Sequence, residues 1–276
     1  MKNNPFVYFT VFPLLCFSIV FSSLVYAGQS DGIKLASQGM FKEARIEFSK
    51  ALEINREDSL SKGALGILDD FDSGRIKKEC LLSLFKGLGL LTVNLPEQAI
   101  DEFKLAEKAA PGYPRTHNIL GMAYTILGSF KEAEIQFKEA IELQPEYSQA
   151  YFNLGTFYQS QGKNTQALEY YEKALRLDQN SADTYMNIGY IYAGEGRYDK
   201  AISYFQKVSS LDPQRADAYY SLGMAYFMSD QYLKSRENFI KAKDVFQQKG
   251  DQEGVSNTDK YLDKFFELEG KWKAKK

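Results

Sequence analysis

The chain has 276 residues, 44% apolar and 25% charged side chains, and a formal net charge of −2, the make-up of an ordinary globular protein. A balance so close to neutral gives no sign of an electrostatically driven nucleic-acid or anionic-membrane partner. With two cysteines and a single histidine there is neither a disulfide framework nor material for the familiar zinc sites or a Cys/His pair.

The N-terminus reads as an export signal. Lys2 is followed by an uncharged, almost wholly apolar run from Phe6 to Val25, and Val25-Tyr26-Ala27 places a small residue ahead of Gly28, where cleavage is expected. Removing 1–27 takes away one lysine and no acid, which leaves −3. The rival reading is an uncleaved inner-membrane anchor, because about 20 apolar residues can span a bilayer. A lipoprotein through Cys16 is disfavoured by Leu15, which stands where such signals want a small residue. Each reading puts the folded part across a membrane, in a periplasm or outside the cell. Cys80 then has no mate and reads as a small buried hydrophobe.

Residues 28–58 form a first, degenerate helical pair, with Gly32, Gly39, Ala44, Phe48 and Ala51 on slots that recur later. Its first helix is expected over about 31–38 and its second over 41–54. Residues 59–95 are irregular. Leu65-Gly66 matches the start of a new copy, yet the next copy must begin near Cys80, so about one helix is lacking. The run Asp69-Asp70-Phe71-Asp72-Ser73-Gly74 reads as a helix end and solvated turn, without the later ligands of a calcium loop. A helix over about 75–93 is predicted despite Gly87 and Gly89, each of which costs about 1 kcal/mol against Ala. They are tolerable where a neighbouring helix packs close to the backbone.

From 96 to 249 the pattern is regular. Leu120-Gly121, Tyr124, Gly128, Ala133, Phe137 and Ala140 recur 34 residues on as Leu154-Gly155, Tyr158, Gly162, Ala167, Tyr171 and Ala174. The third copy carries Ile188-Gly189, Tyr192, Gly196, Ala201, Phe205 and Val208. The fourth has Leu222-Gly223, Tyr226, Asp230, Ser235, Phe239 and Ala242. Regular units are expected to open near Pro114, Ser148, Ala182 and Ala216. A period of this length means one all-α array, an α-solenoid of helix-turn-helix repeats, each touching its neighbours. Residues 250–268 supply a C-terminal capping helix with Val255, Tyr261, Leu262, Phe265 and Phe266, and 269–276 a basic tail with Trp272.

Within each unit, Gly121 and its counterparts are expected to face Ala133 and its counterparts, so that the two backbones approach. Gly128, Gly162 and Gly196 occupy turns where a positive φ costs little only for glycine. His117 falls on a core aromatic slot shared with Tyr151, Tyr185 and Tyr219.

These residues and their spacing resemble the tetratricopeptide repeat family, over roughly 28–249. The resemblance implies a right-handed superhelix whose first helices line a concave groove that holds a peptide or partner helix. On that basis the groove residues are Asn118, Met122 and Thr125; Phe152, Asn153, Thr156 and Gln159; Met186, Asn187 and Tyr190; Tyr220, Met224 and Phe227. Apolar, aromatic and amide side chains of this kind suit an adaptable ligand surface, while packing between adjacent units is the plainer reading of several. The family's carboxylate clamp lacks its basic partners here, with Phe152 and Met186 in nearby places. The expected protein is a non-enzymatic scaffold without cofactor or metal, binding another protein and no nucleic acid, and meeting a membrane only if its N-terminal segment is retained.

Overall fold

The computed structural model describes the backbone of residues 23–54 and 58–273, with side chains for 29–54, 58 and 60–265. The apolar segment up to residue 22 and the last three residues lie outside these limits. Among the described residues there are helices and no strands, and none of the helices is long and apolar enough to cross a membrane. The helices gather into two compact units, with the boundary between Gln161 and Gly162, where the sequence predicts one array.

The N-terminal unit holds α1 (Ser23–Ser37), α2 (Phe41–Ile54), α3 (Ser59–Asp72), α4 (Lys78–Thr92), α5 (Pro96–Ala109), α6 (Pro114–Leu127), α7 (Phe130–Leu143) and α8 (Ser148–Ser160). Three antiparallel hairpins, α1/α2, α4/α5 and α6/α7, repeat one contact. The first helix carries a glycine, and an aromatic ring sixteen residues later lies where its side chain would be. A Cβ built on Gly121 would stand 2.7 Å from the Phe137 ring, and one on Gly32 2.6 Å from Phe48. Gly87 takes the ring of Phe103 in the same way, so α4 is the first helix of a full hairpin and Gly87 is a close-packing position. The expected small-residue contact and this ring contact coexist in the C-terminal unit, where the Ser235 hydroxyl donates to the Gly223 carbonyl at 2.7 Å.

Helix α3 departs from the pattern. Its Gly66 meets the guanidinium of Arg115 and has no ring partner, so Leu65-Gly66 does not open a repeat; α3 is a single helix inserted between two hairpins. Asp58 caps its N-terminus by accepting from the amides of Leu60 and Ser61 at 3.2 and 3.3 Å. The acidic run at its other end is the expected helix end and turn, with Asp69, Asp72, Ser73 and Gly74 exposed, but Asp70 is drawn inward. Asp69 and Asp72 hold the two arms of Arg45 on α2, at 2.6 and 2.7 Å. Asp70 is buried, and its carboxylate accepts from Tyr113 Oη at 2.7 Å, Arg75 at 2.7 Å and Arg115 Nε at 2.9 Å. Phe41 against Phe71, ring centroids 5.3 Å apart, completes the seat on α2. Beneath lie Leu68, Ile76, Leu81, Leu84 and Phe85, with Cys80 fully buried among them and its thiol pushed up to about 11 by that burial.

The C-terminal unit holds α9 (Asn164–Leu177), α10 (Ala182–Gly194), α11 (Tyr198–Leu211), α12 (Ala216–Met228), α13 (Tyr232–Gln248) and α14 (Gln252–Lys273). The regular helices open at the residues the period predicts. Ser181 caps α10 through the amide of Thr184 at 3.3 Å. Gly196 turns α10 into α11 with φ +74°, and in the next copy Asp230 adopts the same left-handed geometry at +61°. Asn94 does so between α4 and α5, at +60°. Asx residues tolerate this region better than other side chains, which is why the turn survives the loss of its glycine. Arg215, half-buried between α11 and α12, is fixed by Asp183 at 2.6 Å and Asp217 at 3.1 Å. Two helix limits differ from the expectation: α1 starts upstream of residue 31, and α14 continues to Lys273, through much of the predicted tail. Lysines near a helix C-terminus propagate the helix and suit its dipole.

Helix α14 closes the unit through aromatic rings. Tyr261 stacks on Phe239 at 5.1 Å and 10°, and Phe265 stands edge-on to Phe227 at 5.7 Å. Lys243 pairs with Asp259 at 2.6 Å, and a Cβ on Gly254 would collide with the ring of Phe246.

Two outcomes test these contacts. Burial alone would push the Asp70 carboxyl up, but Tyr113, Arg115 and Arg75 overcome this and hold it below its ordinary value. Its contribution is therefore complete above the unfolded-chain value of about 3.9 and is lost as the pH falls through the folded value. Urea denaturation of Asp70→Asn should show a deficit of about 1–3 kcal/mol at pH 7 that closes below about pH 4. Phe265, 5% exposed, should cost about 3–5 kcal/mol as Phe265→Ala, read from the shift in urea midpoint.

Candidate functional site

First-helix residues that the core does not absorb are the candidate binding surface, and each unit has its own. In the N-terminal unit these come from α6 and α8. Leu120, Ala123, Leu154 and Phe157 turn into the core, with Tyr158 beside them. Met122, Thr125, Phe152, Asn153 and Thr156 remain half-buried and carry no charge. Asn118 and Gln159, both expected to face a ligand, are each 4% exposed and belong to the packing.

The amide groups are tied together. Gln149 Nε2 donates to Asn153 Oδ1 at 3.0 Å, and Asn153 Nδ2 donates to Asn118 Oδ1 at 3.0 Å and towards Met122 Sδ at 3.5 Å. Thr125 donates to the Gly121 carbonyl at 2.8 Å, and Thr156 to the Phe152 carbonyl at 3.1 Å. Such helical hydroxyls return to their own backbone. What this face presents is chiefly a thioether and a phenyl ring, held by an orienting row of amides.

In the C-terminal unit the expected residues divide differently. Met186 and Met224 are each 2% exposed, because the first helices sit side by side and their inward faces are consumed by contact. Asn187 donates to the Tyr171 hydroxyl at 3.1 Å. Tyr190 stands edge-on to Phe205 at 5.4 Å and accepts from Ser221 at 3.4 Å. Tyr220 and Phe227 lie against Tyr261, at 6.0 and 6.3 Å. The end of this unit is thus partly filled by the chain's own last helix. A hydrophobic first-helix position looks the same in sequence whether a ligand or a capping helix covers it.

His117, 5% exposed, sits in the core, as its slot implies, with its ring nitrogens 2.9 Å from Gln136 Oε1 and 3.1 Å from the Pro111 carbonyl. Among the described residues no group of three or more His, Cys, Asp or Glu side chains converges to hold a metal ion.

A further concavity, which the repeat pattern did not single out, opens on the N-terminal unit between α1 and α4. It is a broad cleft of about 490 Å³ with Ile33, Leu90 and Val93 on its walls, Lys34 and Lys86 at its margins, and Glu102 of α5 reaching into it. Its only sequence signal was the exposed, apolar end of α4.

Three overlapping stretches, 113–180, 146–214 and 180–248, match the tetratricopeptide repeat family. Among solved structures the chain is similar to MamA, with 28% identity and a TM-score of 0.54, over 59% of this chain and 96% of that one. It is also similar to YrrB, a tetratricopeptide repeat protein with an unusual peptide-binding site, at 25% identity and a TM-score of 0.50, over 77% of this chain and 97% of that one. PilF of Pseudomonas aeruginosa shares the fold at 19% identity and a TM-score of 0.56, over 86% of this chain and 97% of PilF. No curated protein sequence matches the chain. The turn glycines, the ring-on-glycine hairpins and these matches agree, and residues 113–248 carry tetratricopeptide repeats.

Proposed function

We propose that this protein is an exported, non-enzymatic scaffold that holds a peptide or helix of a partner protein on the first helices of its repeats. The observation that carries the reading is the uncharged, half-buried strip of Met122, Thr125, Phe152, Asn153 and Thr156 on α6 and α8. Flexible thioether and aromatic side chains adapt to apolar partner residues. Hydrogen bonds among the amides hold that surface in one geometry, which limits the entropy lost on binding. The peptide-binding site of YrrB supports the same reading, as a property of a similar protein. Asn187, Tyr190, Tyr220 and Phe227 form a lesser surface on the C-terminal unit, largely satisfied by packing.

Export rests on residues 1–27. A second reading, an assembly factor of an envelope or secretion complex that keeps this segment as its anchor, draws on the same apolar run from Phe6 to Val25. The mass of the native N-terminus separates the two: a chain beginning at Gly28 eliminates the anchor, and one retaining 1–27 eliminates the cleaved form.

A photoreactive amino acid at position 152 should crosslink a partner protein in the native envelope, whereas one at the exposed Lys131 of α7 should not. Met122→Lys with Phe152→Glu should abolish the adduct while the helical circular dichroism stays unchanged. Equal crosslinking from both positions would count against the strip.

A further inference from the structure

The first hairpin of the N-terminal unit runs against the second with opposite polarity. A Cβ on Gly39, just past the end of α1, would stand 3.9 Å from Leu82 near the start of α4, and one on Gly89, towards the end of α4, 3.5 Å from Ile33. The start of α1 therefore lies level with the end of α4. Since α2 returns along α1, and α6 runs parallel to α4, one edge of the unit gathers the start of α1, the end of α2 and the turns α4/α5 and α6/α7. Six large apolar side chains stand exposed at that edge: Ile54, Val93, Leu95, Ile126, Leu127 and Phe130, with Phe130 46% and Val93 63% exposed. Neither turn holds a charge, from Thr92 to Pro96 or from Thr125 to Phe130. The opposite edge carries Arg75, Lys77, Lys78 and Lys108, all exposed.

The two apolar turns also satisfy their own backbone. The amides of Asn94 and Leu95 donate to the carbonyls of Leu91 and Leu90 at 3.0 and 2.9 Å, and those of Gly128 and Ser129 to Thr125 and Tyr124 at 3.1 and 2.9 Å. The Thr92 hydroxyl donates to the Gly89 carbonyl at 2.7 Å, and Pro96 has no N–H. Hydrocarbon admits turns of this kind, because an unpaired N–H is strongly disfavoured there. Finally, the apolar run from Phe6 to Val25 reaches the unit at this same edge. Its last residues, Ser23 to Val25, are the first of α1, so no linker separates the run from the hairpins.

We infer that this edge rests in the surface of a lipid bilayer, with the tips of the α4/α5 and α6/α7 turns in the acyl boundary beside the chain's own apolar segment. The inference depends on the reading in which residues 1–27 are kept as an anchor, and it states which side of the N-terminal unit faces the membrane. The path of the chain chooses the occupant. A run of about 20 apolar residues held in a bilayer brings its own end to the surface. With a rise of about 1.5 Å per residue, the start of α1 and whatever lies level with it then stand within a few turns of the headgroups. Exposed apolar patches of this kind mark protein or membrane contacts, and side chains spread over separate turns and a helix end meet a flat apolar layer together. Glu97 and Lys131, next to the tips in sequence, are exposed and suit the polar headgroup layer.

The test uses the full-length protein in phosphatidylcholine vesicles whose acyl chains carry bromine, which quenches nearby tryptophan. Trp272→Phe removes the one native tryptophan. Val93→Trp, Leu95→Trp and Phe130→Trp are then made one at a time, with Leu143→Trp, exposed at the opposite edge, as the control. Emission from positions 93, 95 and 130 should move to shorter wavelength and fall at least twofold against unbrominated vesicles, at low and high salt alike. Emission from position 143 should not change, and helical circular dichroism should be the same in all four; three positions guard against the misfolding of any one. Equal quenching at 143, or none at the edge, would overturn the inference. So would loss of quenching at high salt, which would assign the contact to charge. A shift to shorter wavelength without quenching would mean that a second copy of this chain covers the edge, and would overturn it too. Carbonate extraction of native membranes judges the anchor separately. A chain that resists extraction but has an unquenched edge keeps the anchor and loses the inference, whereas a released chain beginning at Gly28 loses both.

Discussion

Five hairpins of this protein depend on a ring lying against a backbone. Gly32, Gly87, Gly121, Gly189 and Gly223 lack the one carbon that would strike Phe48, Phe103, Phe137, Phe205 and Phe239. All five rings are fully or almost fully buried. The missing methyl brings two helices close enough to seal the ring from water, and burial of an aromatic side chain is among the largest single contributions a small core receives. The sixteen-residue spacing is the length of one helix crossing, one tight turn and the return. It therefore fixes the turn as well, and the left-handed residue at Gly128, Asn94 or Asp230 follows from it.

How much of this could be read in advance depended on the distance between partners. Gly121 and Phe137 lie within one repeat, and a strict 34-residue period exposes them at once. Gly87 was harder, because Lys86 replaces the usual leucine and a second glycine follows. The pairing of α4 with α5 shows that Gly87 serves packing, whereas a Cβ on Gly89 would make only ordinary contact, 3.5 Å from Ile33 of α1. Asp70 was illegible. Its partners Tyr113 and Arg115 stand 43 and 45 residues away, and an acidic run beside Ser-Gly has the composition of a surface turn. At the binding surface, the pattern located the first helices but could not divide them. Met122 and Met224 occupy equivalent positions three repeats apart, yet one is half-buried and the other is sealed, a difference set by neighbouring helices.

The two candidate surfaces of the N-terminal unit differ in kind. The strip on α6 and α8 is neutral, whereas the cleft beside α4 carries Lys34 and Lys86 at its rim. Apolar contacts raise affinity with little discrimination, and charged margins discriminate among partners while accelerating encounter. The C-terminal unit is arranged for closure. Tyr261 and Phe265 occupy rings of α12 and α13 that would otherwise be exposed, and Thr258 is fully buried behind them.

A stack of hairpins normally couples only nearest neighbours, so its ends fray while its middle persists. Helix α3 breaks that rule. It grips α2 through Arg45 and reaches past α4 and α5 to Tyr113 and Arg115 at the start of α6. Opening the first hairpin therefore disturbs the helix whose Asp70 is held by the third, and the free energy of local melting rises towards that of the whole unit. The insertion converts the terminal repeats from a loose end into one cooperative block.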